Sequence, residues 1–419
     1  MSGQRGQGDQ RHALAGLRVV ELSAGMAGPW IGRFMAWCGA DVIKVESKKH
    51  PDVTRLYVPP REPDLGVQPT MSPWFTDWNA GKRFVALDLT RPAAVELARK
   101  LVATADVVVE NYSAGVIDKL GLGYGELVKV KPDLVMIGSS GFGDSGPCRS
   151  HVTWGSNIEA LSGLSSVSGF AGRECTITQY AYPDPLSAVH GLFAVMCALD
   201  HRRRTGQGQY INVSQFEATV AGFGQVMMEQ LVDGRSPEKL GNRSPGAAPH
   251  GCYRCSGEDR WCAISVSTDL EWRALCTAIA QVELVADERF IDLNARLAHQ
   301  DELDAIVESW TRERDAYDVM NALQAAGVAA GVVQNAEDLY RNDAQLAARS
   351  FFEQIPHPAR GAVTATGVPL GLTGTPGRTS STGSPVGHDT DHVFGELLGM
   401  SAAEIDRAVA DGIIEKADK

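Results

Sequence analysis

Short apolar runs alternate with longer amphipathic stretches through the first half of the chain. "LRVVEL" (17–22) reads as a strand; a Gly-rich turn, "SAGMAGP", and an apolar helical run from Trp30 to Cys38 follow. "GADVIKVE" (39–46) is a second strand, so the chain opens with a β-α-β unit. "DLTRPAAVELARKLVATA" (88–105) predicts a helix capped near Thr90 with Pro92 in its first turn, and "DVVVEN" (106–111) and "DLVMIGSSG" (133–141) are two more strands. Strands alternating with helices predict a parallel sheet covered on both faces. A long helix carries Leu186, Val189, Leu192, Phe193 and Met196 as a stripe, ends in "HRRRTGQGQ" (201–209) and leads to the strand "YINVS" (210–214). The arginines of that ending suit a helix C-terminus, where cations are favoured.

The texture changes after Gly234. "DGRSPEKLGNRSPGAAPHG" (233–251) reads as a loop, and "CYRCSGEDRWCAISVS" (252–267) as two β-runs around a turn at 256–259. Helical segments at 269–280, 300–313 and 315–327 complete a smaller α+β domain. "VPLGLTGTPGRTSSTGSPVGHDTD" (368–391) is a surface crossing rich in Gly, Ser, Thr and Pro, and two short helices close the chain. The expected division is a polar N-terminal tail (1–13), a large domain (14–224), a linker with the small domain (225–344), and a return to the large domain (345–419).

A length of 419 residues calls for two domains. The net charge of −12 argues against nucleic acid or an anionic membrane as a partner. The polar start, "MSGQRGQGDQRHALAG", lacks the apolar core of a secretion signal, and no apolar stretch is long enough to span a membrane. A cytoplasmic location with reduced thiols is the expectation for the eight scattered cysteines. "CYRC" (252–255) has no second pair at zinc spacing, so no metal site is expected.

Two short motifs carry little. "GFGDSGP" (141–147) contains Gly-Asp-Ser-Gly but sits in an α/β context and reads as a turn. The first β-α-β unit, with Glu46 as a ribose-binding acid, invites a dinucleotide reading, yet "AGMAGPW" lacks Gly-x-Gly-x-x-Gly. Asp184 is more unusual, because it stands between Pro183 and Pro185 directly before the long helix. Pro185 suits the first helical position, which would make Asp184 the N-cap. That reading allows a plain cap or a carboxylate held rigid for chemistry.

Six segments decide between them: "LAGLRVVELSAGMAGPWIGRFMAWCGADVIKVE", "NAGKRFVALDL", "ADVVVENYSAGVIDKLGLGY", "GFGDSGP", "YPDPLSAVHGLFAVMCALDHRRRTGQGQYINVS" and "GHDTDHVFGELLG". In this order they resemble the class III CoA-transferases, which include formyl-CoA transferase and the carnitine and bile-acid CoA-transferases, with α-methylacyl-CoA racemase as a relative. The resemblance implies an α/β protein with a Rossmann-like large domain, a smaller α+β domain and an interlocked homodimer. It makes Asp184 the catalytic nucleophile, through aspartyl anhydride and aspartyl-CoA thioester intermediates. No permanently bound cofactor is implied; coenzyme A enters as the acyl-CoA substrate. Gly25, Met26, Lys82, Asn111, Tyr112 and Lys119 match CoA-contacting positions, with Met26 where formyl-CoA transferase has glutamine. Ser47 stands where that enzyme has arginine, a role Lys48 or Lys49 can take. Trp154, His250 and Gly251 match the substrate pocket, and "NRSPGAAPHG" (242–251) replaces the mobile glycine loop.

The expected substrates are an acyl-CoA and a free carboxylic acid. Succinyl-CoA is the expected donor and a bulky or aryl-substituted succinate the acceptor, with Trp74, Trp78 and Trp154 as an aromatic wall. Alternatives are a racemase, disfavoured by Trp154 at the position of the racemase histidine although His151 is nearby, a subunit of a hetero-oligomeric transferase, and a nucleotide-binding regulatory protein.

Overall fold

The computed structural model describes residues 12–57, 72–357 and 361–417; the tail expected over 1–13 lies outside them except for its last two residues. The chain divides into two units. The first comprises residues 1–164, 177–228 and 345–419, and the second 165–176 and 229–344.

The first unit is built on β1 (Arg18–Leu22), β2 (Asp41–Glu46), β3 (Lys82–Leu87), β4 (Val107–Glu110), β5 (Val135–Ser140) and β6 (Gln209–Ser214). These six strands are parallel, in the spatial order β3-β2-β1-β4-β5-β6. Their apolar runs are buried on both faces. Val20, Leu22, Ile43, Val45, Val108 and Met136 feed one core, and Val19, Val42, Val107, Val109, Val135 and Ile137 the other. This period-two division is what a sheet with helices on both sides requires. Strand order reverses between β1 and β4, and at such a switch point the chains diverge and leave a crevice at the carboxyl ends of the strands.

The second unit holds β7 (His250–Arg254), β8 (Trp261–Ser265) and β9 (Ala329–Val332) in an antiparallel sheet. Tyr253, Cys262 and Ile264 share its core with Trp272, Leu275, Leu303, Val307, Val319 and Leu323, which come from the helices Asp269–Ala278, Gln300–Thr311 and Ala316–Ala325. Back in the first unit, β10 (Phe352–His357) and β11 (Gly361–Thr366) form a hairpin, and β12 (Ile414–Glu415) pairs antiparallel with β3.

Several expectations shift. The strand β3 falls in "NAGKRFVALDL", and the hairpin and the helix Gly224–Asp233 likewise occupy stretches where no element was assigned. The long helix begins at Pro183, not after Asp184, because Pro183 fills the first helical position as readily as Pro185. Asp184 therefore lies inside the first turn, and Tyr182 is the N-cap.

Candidate active site at the strand switch point

The carboxyl ends of β1, β2, β3, β4 and β5 open onto a cavity of about 1020 Å³. All of its lining residues belong to the first unit. Gly25 adopts a φ of 77°, a left-handed conformation that bends the chain out of β1 into the helix Ala27–Trp37. Main-chain contacts hold this turn. The Gly25 N–H donates to Asp52 Oδ1 at 3.1 Å. The Asn111 side chain accepts from the Ala24 N–H at 2.9 Å and donates to the Ala24 carbonyl at 2.7 Å.

Beneath the turn lies a dry ionic network. Lys44 Nζ reaches Glu21 at 3.0 Å, Asp52 at 2.9 Å and the Ser23 carbonyl at 2.6 Å. Lys82 Nζ reaches Glu21 at 2.8 Å and donates to the Pro29 carbonyl and Asn79 Oδ1, both at 2.8 Å. The side chains of Glu21, Lys44, Asp52 and Lys82 are fully buried. Burial works against each charge, but Asp52 and Glu21 win at Lys44 and raise its pKa, while Lys82 and Lys44 hold Glu21 below its ordinary value.

Asp184 reaches the cavity from the other side. Its carboxyl is pushed up to about 7 by burial, tempered only by the backbone N–H of Ala27 at the start of the first helix. No cation pairs with it among the described residues. Gly155 permits this placement: a Cβ there would stand 2.5 Å from Asp184 Oδ2 and 2.4 Å from the Ala181 Cβ. Two residues earlier, Thr153 lies against Gly141, just past the end of β5.

The residues singled out from sequence separate here. Asp184, Gly25, Met26, Asn111, Tyr112 and Trp154 all line the cavity. Lys119 is exposed one residue before Leu120, which lines it. Lys82 requires a correction: it opens β3, at the strand end away from the cavity, and its ammonium is consumed by the buried network, so it has no free charge for a CoA phosphate. His250 and Gly251 lie in β7 of the second unit, where the His250 ring Nδ1 is 2.7 Å from the Asn242 carbonyl oxygen. Lys49 pairs with Asp88 at 2.6 Å, whereas Glu46, weighed above as a ribose acid, grips Arg55 through both oxygens. Tyr57, Trp74 and Trp78 form an edge-on aromatic row, with centroids 6.0 and 4.8 Å apart, along one cavity wall.

Ser139, Ser140, Arg149 and His50 also line the cavity and were not singled out. The serines had a readable signal, because "SS" closes an apolar run at the carboxyl end of a parallel strand. Arg149 and His50 sit in loops without a pattern. Among the described residues no cluster of metal-binding side chains occurs, and no helix is long and apolar enough to cross a membrane.

Among the described residues, Asp184 is thus a carboxylate without a cation, near a helix start and over a cavity at the switch point of an α/β sheet. The family model for CoA-transferase family III matches residues 14–390, and the chain belongs to that family. It is 32% identical over 401 residues to a succinyl-CoA–D-citramalate CoA-transferase of Chloroflexus aurantiacus, covering 96% of this chain and 98% of the relative. It is 30% identical over 389 residues to a succinate–glutarate CoA-transferase of Agrobacterium fabrum, covering 93% and 96%. A succinyl-CoA–L-malate CoA-transferase alpha subunit of Chloroflexus aurantiacus is 31% identical over 410 residues, covering 98% and 94%. The crystal structure of a CaiB/BaiF family protein from Brucella suis superposes with a TM-score of 0.83 at 32% identity, covering 95% of this chain and all of that one. The protein is a CoA-transferase.

Proposed function

We propose that the protein moves CoA from succinyl-CoA to a dicarboxylic acid of the succinate type, with Asp184 as nucleophile. The observation that supports this reading is the Asp184 carboxylate, which lines the cavity and is unpaired by any cation among the described residues. A carboxylate is a weak nucleophile, and a paired one is weaker still; burial that raises its pKa also raises its reactivity once ionised. A carboxylate oxygen attacks the thioester carbonyl carbon, the C–S bond breaks, and CoA leaves as thiolate with Asp184 in a mixed anhydride. The thiolate then attacks the aspartyl carbonyl, which expels the donor acid as its carboxylate and leaves an aspartyl-CoA thioester. The acceptor carboxylate attacks that thioester, and the freed thiolate resolves the second anhydride into the new acyl-CoA. Every step exchanges one acyl bond for another, so no net proton is taken up. The Ala27 N–H is placed to steady negative charge at this carboxyl.

The relatives' names support succinyl-CoA and dicarboxylic acids, and the row of Tyr57, Trp74 and Trp78 suits an aryl or other apolar substituent on the acceptor. Gly25, Met26 and Tyr112 are proposed to contact the CoA. Incubation with succinyl-CoA alone, followed by hydroxylamine or borohydride and peptide mass spectrometry, should mark Asp184. Transfer without any adduct at Asp184 would remove the mechanism. His151, which also lines the cavity, keeps the racemase reading testable: deuterium uptake at the α-carbon of a 2-methylacyl-CoA, without acceptor, would favour it. An interlocked homodimer is proposed from the family; exchange within minutes between differently tagged preparations, or an active monomer in light scattering, would exclude it. A soluble but inactive chain revived by a second polypeptide would instead indicate a hetero-oligomer, as the subunit name of the malate relative suggests.

A further inference from the structure

The charged residues lining the cavity fall into two groups. Glu46 is held by Arg55, Asp52 by Lys44, and Asp88 by Lys49. Asp184 and Arg149 have no ion-pair partner among the described residues. Arg149 is exposed in the loop after β5, and nothing described bonds its guanidinium. This contrasts with Arg33 and Arg55 of the same unit, which grip Asp77 and Glu46 through two nitrogens each.

At the same cavity, β5 ends in two hydroxyls that also lack partners. Ser139 is fully buried and Ser140 is 7% exposed; both line the cavity, and neither Oγ has a hydrogen bond among the described residues. Buried hydroxyls are normally paired, and an unpaired one destabilises the fold. Two in succession at the mouth of a strand are left unexplained by the hydrogen bonds of the fold. The loop from Arg149 to Gly155 connects them to Asp184, touching Gly141 through Thr153 and Asp184 through Gly155.

We infer that Arg149, Ser139 and Ser140 form a subsite for the second carboxylate of a dicarboxylic substrate, while its first carboxylate reacts at Asp184. A carboxylate offers about four lone-pair positions, and a guanidinium presents its N–H groups as a fork that matches two of them. The serine hydroxyls supply further donors. Because transfer is symmetrical, one subsite serves both halves of the reaction: it holds the free end of succinyl-CoA first and the free end of the acceptor acid second. The inference rests on the CoA-transfer reading for its kinetic test, but its binding test does not.

The kinetic test compares exchange of labelled succinate with succinyl-CoA against exchange of labelled butyrate with butyryl-CoA. Butyrate matches succinate in length and lacks the second carboxylate. Arg149→Gln should raise KM for succinate and succinyl-CoA by about 10- to 100-fold, with kcat and the butyrate pair little changed. Arg149→Lys should recover part of the loss, because it restores charge without the fork. Ser139→Ala should weaken succinate by several-fold while Tm holds or rises, since it deletes an unpaired buried hydroxyl. A fall in Tm with unchanged succinate KM would make that hydroxyl structural and remove it from the subsite. The binding test is calorimetry with succinate and butyrate on the wild-type protein and Arg149→Gln. Succinate binding that Arg149→Gln abolishes, in a protein that transfers no CoA, would keep the subsite and overturn the CoA-transfer reading. Active transfer that handles succinate and butyrate alike would overturn the subsite and keep that reading.

Discussion

The two sides of the cavity floor solve opposite problems. Under β1, β2 and β3, Glu21, Lys44, Asp52 and Lys82 are fully buried and linked by ion pairs of 2.8–3.0 Å. Around β5 and the long helix, Ser139, Ser140 and Asp184 are left without charged or hydroxyl partners among the described residues. Buried charge is tolerable only when paired, so the first side is saturated and rigid. Reactive groups must stay open to substrate, so the second side carries unmet demand. A polar residue that is fully satisfied by its own protein is scaffold, whatever its charge.

The largest test of this division is Asp184→Asn. It should lower turnover by about three or more orders of magnitude while the fold persists, because it removes the proposed nucleophile and keeps a side chain that suits a helix start. Steady-state exchange and thermal melting together read it; near-normal turnover would put Asp184 on the scaffold side. Lys44→Met is the mirror image. It leaves buried Asp52 without a cation and Glu21 with Lys82 alone, and should destabilise the protein by about 3–5 kcal/mol in denaturant titration, whereas Arg149→Gln should stay within about 0.5 kcal/mol.

Gly155→Ala comes next. The added carbon would press on Asp184 Oδ2 and Ala181, and displacing the proposed nucleophile by roughly 1 Å should cost about 100-fold in kcat. A drop in kcat beyond any change in Tm is the expected signature. The smallest effect is pH. In the proposed mechanism ionised Asp184 is the reactive form, and burial raises its pKa to about 7, so kcat/KM should rise about tenfold per unit below pH 7 and level off above it. The stability effect has the matching sign. A carboxyl whose folded pKa is raised above its unfolded value is penalised increasingly as pH climbs between the two, so the stability gain of Asp184→Asn over wild type should be larger at pH 8 than at pH 5.

These two sides were unequally legible in the sequence. The strands were, because runs such as "DVVVEN" and "DLVMIGSSG" have no other stable place than a doubly covered sheet. Asp184 was legible through its family context, but its helical position was not, since two prolines compete for the helix start and only packing chooses. Lys82 shows the converse limit. Its place in "NAGKRFVALDL" signals a positive charge, yet its buried partner Glu21 lies 61 residues away in sequence, and nothing local announces it. The hairpin β10–β11 escaped because "FEQIPH" and "GAVTAT" mix polar residues, Pro and Gly with few apolar ones. Ser139 and Ser140 were visible as residues, but their lack of partners is a property of the fold alone.

Both grips on the turn after β1 fall on main-chain atoms: the Asn111 amide on Ala24, and the Asp52 carboxylate on the Gly25 N–H. The bend is thus fixed by bonds and by the one glycine that tolerates its left-handed conformation. Met26 beside it is only 8% exposed, so a replacement there must match its volume. Such a joint accepts an exchange of like for like and resists enlargement.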